Sequence, residues 1–345
     1  MKRIKHLTLV LSIAACSALP PALHAQTPAK LFAELPEYCP TPDALAVAPD
    51  GSITLSCPNY AKGGFPGILV SISKDGTVSK LADVPGANGK ASARPMGIAY
   101  APDGSLFVNA NQGPHGRLLR MTFKNGQHEK TEVVAKGLNG PNGLRYKDGA
   151  LYVTIAMMPK VETGKNTGGV YRFKETDRNI QVNNDLSDPN LIFTAETQNP
   201  KKQFGLDGLV FNKAGDLFVG DFGDGTIYRL TLKSDGTVAS SEVYAQAPNT
   251  AGVDGIDIDE AGNLYLAGFS QNQILKVDTN KDVSVIAEYP DNNGANGELD
   301  QPADLMVHKG RLYISNFDLM VEAGMKNTGH SKPYTISVID LSEVE

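Results

Sequence analysis

One phrase, written six times along residues 29–341, limits the possible folds more than any other feature of this chain. Each copy opens after Pro or an apolar residue, usually has Gly one place on, and continues as an alternating run, a Gly-containing turn and a second run. The copies run from Pro42-Asp43-Ala44 to Cys57, Pro95-Met96-Gly97 to Asn109, Pro141-Asn142-Gly143 to Thr154, Leu206-Asp207-Gly208 to Gly220, Val253-Asp254-Gly255 to Ala267, and Ala303-Asp304-Leu305 to Ser315. Their start residues are spaced 53, 46, 65, 47 and 50 apart, intervals that suit a four-stranded blade. Between the paired runs stand Asp50-Gly51, Asp103-Gly104, Asp148-Gly149, Gly215-Asp216, Gly262-Asn263 and Lys309-Gly310, where Gly supplies the positive φ of a tight hairpin. A third strand follows every pair, and a fourth follows in five blades. The expected fold is therefore all-β, a six-bladed β-propeller.

The sixth blade lacks its fourth strand, because the chain ends soon after Leu341. The missing piece stands at the other end: Lys30-Leu31-Phe32-Ala33-Glu34-Leu35-Pro36 parallels Lys80 to Pro85 and Val285 to Pro290. An N-terminal strand paired with Thr335 to Leu341 would close the ring and remove its exposed edges. Residues 26–345 are accordingly read as a single propeller domain. Ahead of them, Lys2, Arg3 and Lys5, the apolar run Leu7 to Leu19 and the small-residue site at Ala22-Leu23-His24-Ala25 have the layout of a secretory signal over residues 1–25. The apolar stretch is too short to span a membrane. Ile13-Ala14-Ala15-Cys16 allows the alternative of a lipid anchor on Cys16. Either way the protein is expected to be exported, to a periplasm or outside the cell. Cys39 and Cys57 then flank the first hairpin in a disulfide-permissive compartment, as a bridge or as two buried thiols. Losing three basic residues moves the net charge from −6 to about −9, which argues against nucleic acid and anionic membranes as partners and leaves a small molecule.

In a propeller the first strand of every blade lines the central channel, so Asp43, Met96, Asn142, Asp207, Asp254 and Asp304 are expected to ring one mouth of it. Four converging carboxylates would repel unless a cation neutralises them. With oxygen donors and no His or Cys, the set suits Ca²⁺ or Mg²⁺, and a wide ring of separate blades suits the less geometrically strict Ca²⁺. The plainer alternative is that Asp and Asn form strand-entry turns. Second strands exit on the same face, so Asn109, Asn111, Met157, Phe222, Phe269, Asn316 and Phe317 are expected to wall a substrate pocket, with His115 and His330 in nearby loops as candidate bases.

The most specific phrases are Gly140-Pro141-Asn142-Gly143-Leu144 with Leu151-Tyr152-Val153-Thr154, and Val253-Asp254-Gly255-Ile256-Asp257-Ile258-Asp259 with Gly262-Asn263-Leu264-Tyr265. In them, and along nearly the whole mature chain, the pattern resembles the senescence-marker-protein, gluconolactonase and luciferin-regenerating-enzyme family. Paraoxonase and diisopropyl fluorophosphatase are more distant relatives of that architecture. Family members hold a divalent ion, often Ca²⁺, with an acid from the first blade, amides from the third and fourth, and an Asp from the fifth. Carried over, the resemblance implies Asp43, Asn142, Asp207 and Asp254 as ligands, with Asp254 also the base or nucleophile. Asp43 stands for the family's longer Glu, Asp207 stands where an amide is usual, and Asp304 adds a carboxylate. If Pro141-Asn142-Gly143 instead matches the family's fourth blade, the register shifts by one and Asp207 takes the catalytic role. The implied function is a metal-dependent hydrolase of a lactone or related ester. Two alternatives are a propeller that only binds a small molecule or partner, and a metal-independent enzyme resembling the strictosidine synthases.

Overall fold

The computed structural model of the protein describes residues 27–61 and 66–344. The expected secretory segment 1–25, with Cys16, lies outside them. Six sheets, each built on four antiparallel strands, follow one another along the chain. Blade one is Leu45–Val47, Ile53–Cys57, Ile68–Ile72 and Val78–Asp83; blade two is Arg94–Tyr100, Leu106–Asn111, Gly116–Lys124 and Gln127–Leu138. Blade three comprises Pro141–Lys147, Ala150–Ile155, Thr167–Lys174 and Leu191–Glu196, and blade four Leu206–Phe211, Leu217–Asp221, Thr226–Leu232 and Val238–Gln246. Val253–Ile258, Leu264–Gly268, Gln273–Val277 and Val283–Glu288 make blade five; Pro302–His308, Arg311–Asn316 and Tyr334–Asp340 begin blade six. Lys30–Leu35 completes blade six, pairing antiparallel with Tyr334–Asp340 so that Lys30 faces Val338 and Leu35 faces Tyr334. Each first strand touches the first strand of the next blade, and the sixth touches the first. The fold is a six-bladed β-propeller, closed by its N-terminal strand.

Local chemistry explains the hairpins. Gly51, Gly104, Gly149, Gly215, Gly262 and Gly310 all adopt positive φ, between +73° and +97°, which a side chain would oppose. Asp50 and Asp103 accept the backbone N–H of Ser52 and Ser105, so these acids shape turns. Buried Leu, Ile and Val from the middle strands of successive blades fill the space between the sheets. Cys39 and Cys57 are bonded, with their Cα atoms 5.4 Å apart. One element was not legible beforehand: Ile180–Gln181, from the long insertion in blade three, adds a short parallel strand to the outer edge of blade two at Ala135 and Lys136. It is two residues long and held from afar by Arg178 against Glu132, so no local periodicity announces it.

Near the axis the first strands approach so closely that four of them have room only for Gly. A Cβ on Gly97 would lie 2.4 Å from the Asn142 carbonyl oxygen, on Gly143 2.5 Å from that of Asp207, and on Gly208 2.2 Å from that of Asp254. Gly208→Ala should therefore lower the free energy of unfolding by about 3 kcal/mol, read from urea melts. A neutral result would mean that the blades meet less tightly than this.

Candidate functional site

The register of the first hairpins decides which side chains converge. Five of the six first strands carry an irregularity between the opening pair and the regular ladder, at Pro95/Ile98, Pro141/Leu144, Leu206/Leu209, Val253/Ile256 and Pro302/Leu305. The channel-facing residue is the one after the opening position: Met96, Asn142, Asp207 and Asp254 in blades two to five, with Asp43 equivalent in blade one. In blade six that position is Ala303. Asp304 falls one residue further, where four other blades have the close-packed Gly. The expectation that Asp304 shares the mouth is therefore corrected by one residue. It lines a small cavity with Arg145 and the undersides of Asp43, Asn142, Asp207 and Asp254, while the large cavity above is floored by Asp43, Met96, Asn142, Asp207 and Asp254 without it. Its Oδ2 accepts the N–H of Leu45 at 3.3 Å. The repeat was misaligned there because Pro302-Ala303-Asp304 has no Gly to mark the axis.

Burial and mutual repulsion dominate the electrostatics of this floor. Asp43 and Asp207 are buried, and Asp254 keeps part of its surface open to the cavity. Desolvation pushes Asp43 well above the ordinary carboxylate range, and the carboxylates of Asp304 and Asp207 push it further. Asp254 is raised by desolvation and by Asp207, Asp43 and Asp304, and it lies within hydrogen-bonding reach of Asp207. Asp207 is also raised by burial, with Asp254 and Asn142 as hydrogen-bond partners that oppose the rise. Asp207 and Asp254 thus form a pair able to share one proton in the absence of a cation. One layer down, burial pushes Asp304 up to about 6 against the opposing Arg145 guanidinium, and the Oδ2 of Asp257 accepts the Val307 N–H at 2.7 Å. Arg145 answers this lower layer, where its charge opposes the rise of Asp304.

The chemistry of this donor set, all oxygen, is that of a hard divalent cation's ligands. Three carboxylates and the Asn142 amide meet without a basic side chain in the floor, the arrangement in which ionised acids need a positive partner. Among the described residues no group of three or more His, Cys, Asp or Glu side chains is placed to hold an ion, so an ion here would need the acids to close in on it or amide, carbonyl and water oxygen to fill the shell.

Above the floor opens a cavity of about 610 Å³. Of the expected wall residues, Asn111, Met157, Phe222, Phe269 and Phe317 line it, and Asn109, His115 and Asn316 do not. Asn109 is buried between blades two and three, its Nδ2 donating to the carbonyl oxygens of Asn142 and Gly143 at 2.8 and 3.0 Å. It positions the strand that carries Asn142. Asn316 is turned into blade six, where its Nδ2 donates to Thr335 Oγ1 and Ser337 Oγ. Adjacent Asn316 and Phe317 point to opposite sides, so Phe317 turns to the cavity, whereas Asn111, at the end of the strand that carries Asn109, reaches the cavity beyond the buried pairing. His115 is an exposed loop residue, and His330 packs on Tyr334, with ring centroids 5.4 Å apart, away from the cavity.

Tyr60, Phe317, Phe269, Phe222 and Phe204 form a continuous aromatic arc, with successive ring centroids 5.3 to 6.1 Å apart. Lys202 stands over the Phe222 ring at 5.3 Å and donates to Ser270 Oγ at 2.6 Å. Burial lowers its ammonium pKa. Lys202, Phe204, Met320 and Met325 were missed as wall residues because they come from the loops before blade four and within blade six, not from second-strand exits. A larger groove of about 880 Å³ between blades four and five, with Asn249, Val283 and Val285 in its lining, lies away from the acid floor. Among the described residues no helix is long and apolar enough to cross a membrane.

No protein-family model and no curated protein sequence matches the chain. Solved structures do. A calcium-binding protein, regucalcin, from Agrobacterium tumefaciens str. C58 is similar with a TM-score of 0.59 and 14% identity, covering 91% of this chain and 93% of its own. A gluconolactonase from Xanthomonas campestris gives 0.57 and 16%, covering 92% and 99%. The PQQ-bound aldose sugar dehydrogenase of Streptomyces coelicolor gives 0.57 and 15%, covering 93% and 99%. At these identities the likeness establishes architecture, and one architecture hosts several chemistries. The chain shares its six-bladed propeller fold with a gluconolactonase and a calcium-binding regucalcin.

Proposed function

We propose that this chain is an exported hydrolase of lactones or related esters, dependent on a divalent cation, Ca²⁺ before others, and working at the mouth of the central channel. The observation that carries the reading is the floor itself: buried Asp43 and Asp207, the Asn142 amide and the partly open Asp254 at the base of an apolar pocket. Asp43, Asn142, Asp207 and Asp254 would hold the ion. A divalent ion bound there supplies Lewis acidity toward an ester or lactone carbonyl. Asp254, the most open of the floor acids, takes the proton of an attacking water or attacks the carbonyl itself. Asp207 orients it through their shared hydrogen bond. The aromatic arc excludes water and selects an apolar acyl or ring portion, a task for which flat, rigid side chains suit.

A panel of lactones and aryl esters assayed with Ca²⁺ tests this: turnover of at least one class is expected, and none would remove the reading in favour of a binding propeller. Phe204 is part-exposed in the wall, so its loss should not unfold the protein. Phe204→Ala should raise KM for aryl substrates about tenfold, equivalent to about 1.4 kcal/mol of lost burial, with kcat changed less. Unchanged KM would detach the arc from substrate binding.

A further inference from the structure

Blade six holds a second acidic site that the hydrolytic reading does not use. Its first hairpin pairs Pro302 with Asn316, and the N–H of Phe317 donates to the Gln301 carbonyl oxygen at 2.9 Å, carrying the pairing one residue past the regular strands. The next residues on the two sides are Asp300 and Asp318. They are 1% and 4% exposed. Both carboxyl oxygens of Asp300, and Oδ1 of Asp318, are buried without any hydrogen-bond partner. Only Oδ2 of Asp318 is satisfied, by the N–H and hydroxyl of Ser331 at 2.6 and 2.9 Å.

Other buried acids of this protein are treated differently. Asp221 accepts Thr197 Oγ1 and the Asp224 N–H, and both oxygens of Asp224 accept backbone N–H groups from Gln198 and Asn199. The Asp318 charge acts on Asp300, and burial without donors adds the full desolvation penalty. Nearby bases leave Asp300 without a partner, and only His330 acts on Asp318. Lys326 is paired with Glu288 and Lys332 with Glu37, while the Nδ1 of His330 meets the Asp318 carbonyl oxygen and stands 3.9 Å from Oδ2. Asp291 and Glu298 add further negative charge around Asp300.

The geometry points to a second cation site between Asp300 and Asp318, taking a hard divalent ion of the Ca²⁺ type that pins the loop before blade six to the loop after Asn316. No group of three acidic, His or Cys side chains among the described residues could hold an ion, so carbonyl oxygen and water complete the shell, as Ca²⁺ permits. Neither acid lines the channel cavity, but the segment they anchor carries Phe317, Met320 and Met325, which do. The ion would therefore hold one wall of the pocket in place.

Calorimetric titration of chelator-stripped protein with Ca²⁺ alone tests the site by counting ions. Wild type should bind two per chain, Asp300→Asn one, and the channel variant Asp43→Asn/Asp254→Asn one. Asp318→Asn is a second, independent variant with the same expected loss, should Asp300→Asn fold poorly. One ion in wild type and none in Asp300→Asn would keep this site and discard the channel ion. Equal stoichiometry in wild type, Asp300→Asn and Asp318→Asn would overturn it, and would mean that the two acids share a proton instead.

Discussion

Asp254→Asn, at saturating Ca²⁺, should leave the protein folded and reduce ester or lactone turnover about 10³-fold, the usual scale for removing a positioned general base. The substitution keeps the shape of the side chain and an oxygen that can still face a cation. What it removes is the ability to accept a proton or attack. Asp254 is singled out from its neighbours by access: Asp43 and Asp207 are buried, and Asp254 is the most open of the three acids that line the cavity. Asp207→Asn should behave differently, because Asp207 acts on Asp254 and would share in holding the ion. Its expected signature is weakened Ca²⁺ affinity together with lowered kcat, partly rescued by raising Ca²⁺. If Asp254→Asn turned over substrate normally while Asp207→Asn did not, the shifted register, with Asp207 as the catalytic acid, would be the correct one.

Stripped of divalent ions, the protein should lose stability as pH rises from about 4 to above 6. Burial pushes Asp221 up to about 6 and Asp304 up to about 6, and Asp43 and Asp254 are raised in the same direction by burial and neighbouring carboxylates. An unfolded Asp titrates near 3.9. Between that value and the folded one the native state holds more protons than the unfolded state, so the slope of stability against pH is negative. The contribution is fully present below about pH 4 and is lost as each group ionises in the folded protein. A shift of about two units corresponds to about 3 kcal/mol for one such acid. Saturating Ca²⁺ should flatten the curve, because an ion bound only by the native state stabilises the ionised acids. Urea melts from pH 4 to 8 with chelator and with Ca²⁺ read both slopes. Stability that climbs with pH in chelator would mean that the acids are already compensated by the protein.

The blades were legible because their signals are local. Gly at positive φ, Asp beside it and alternating apolar runs recur at blade spacing, and even the closing strand could be found by matching Lys30 to Pro36 with two internal fourth strands. Four of the six axial positions could be aligned on the Gly that close packing demands, and Asp43 on its Pro. Asp304 could not, since at that position it replaces the Gly used for alignment. The pocket was legible only in part, for a different reason. Asn316 sits where strand alternation turns the side chain inward, one residue before Phe317, and Asn109 lies within its strand, where its amide is taken up by the next blade's carbonyls. Lys202, Phe204, Met320 and Met325 reach the cavity from loops whose course is set by contacts distant in sequence, such as the Gln301 side chain holding the N–H groups of Leu319 and Met320.

The central claim is that oxygen atoms from separate blades meet at the channel mouth to hold a cation on which ester chemistry depends. The most direct measurement is hydrolysis of one turned-over lactone or aryl ester by the same protein sample, first with chelator and then after Ca²⁺ is restored. Turnover should vanish in chelator and return with Ca²⁺. Turnover that continues unchanged in chelator would contradict the claim and point to a metal-independent propeller enzyme.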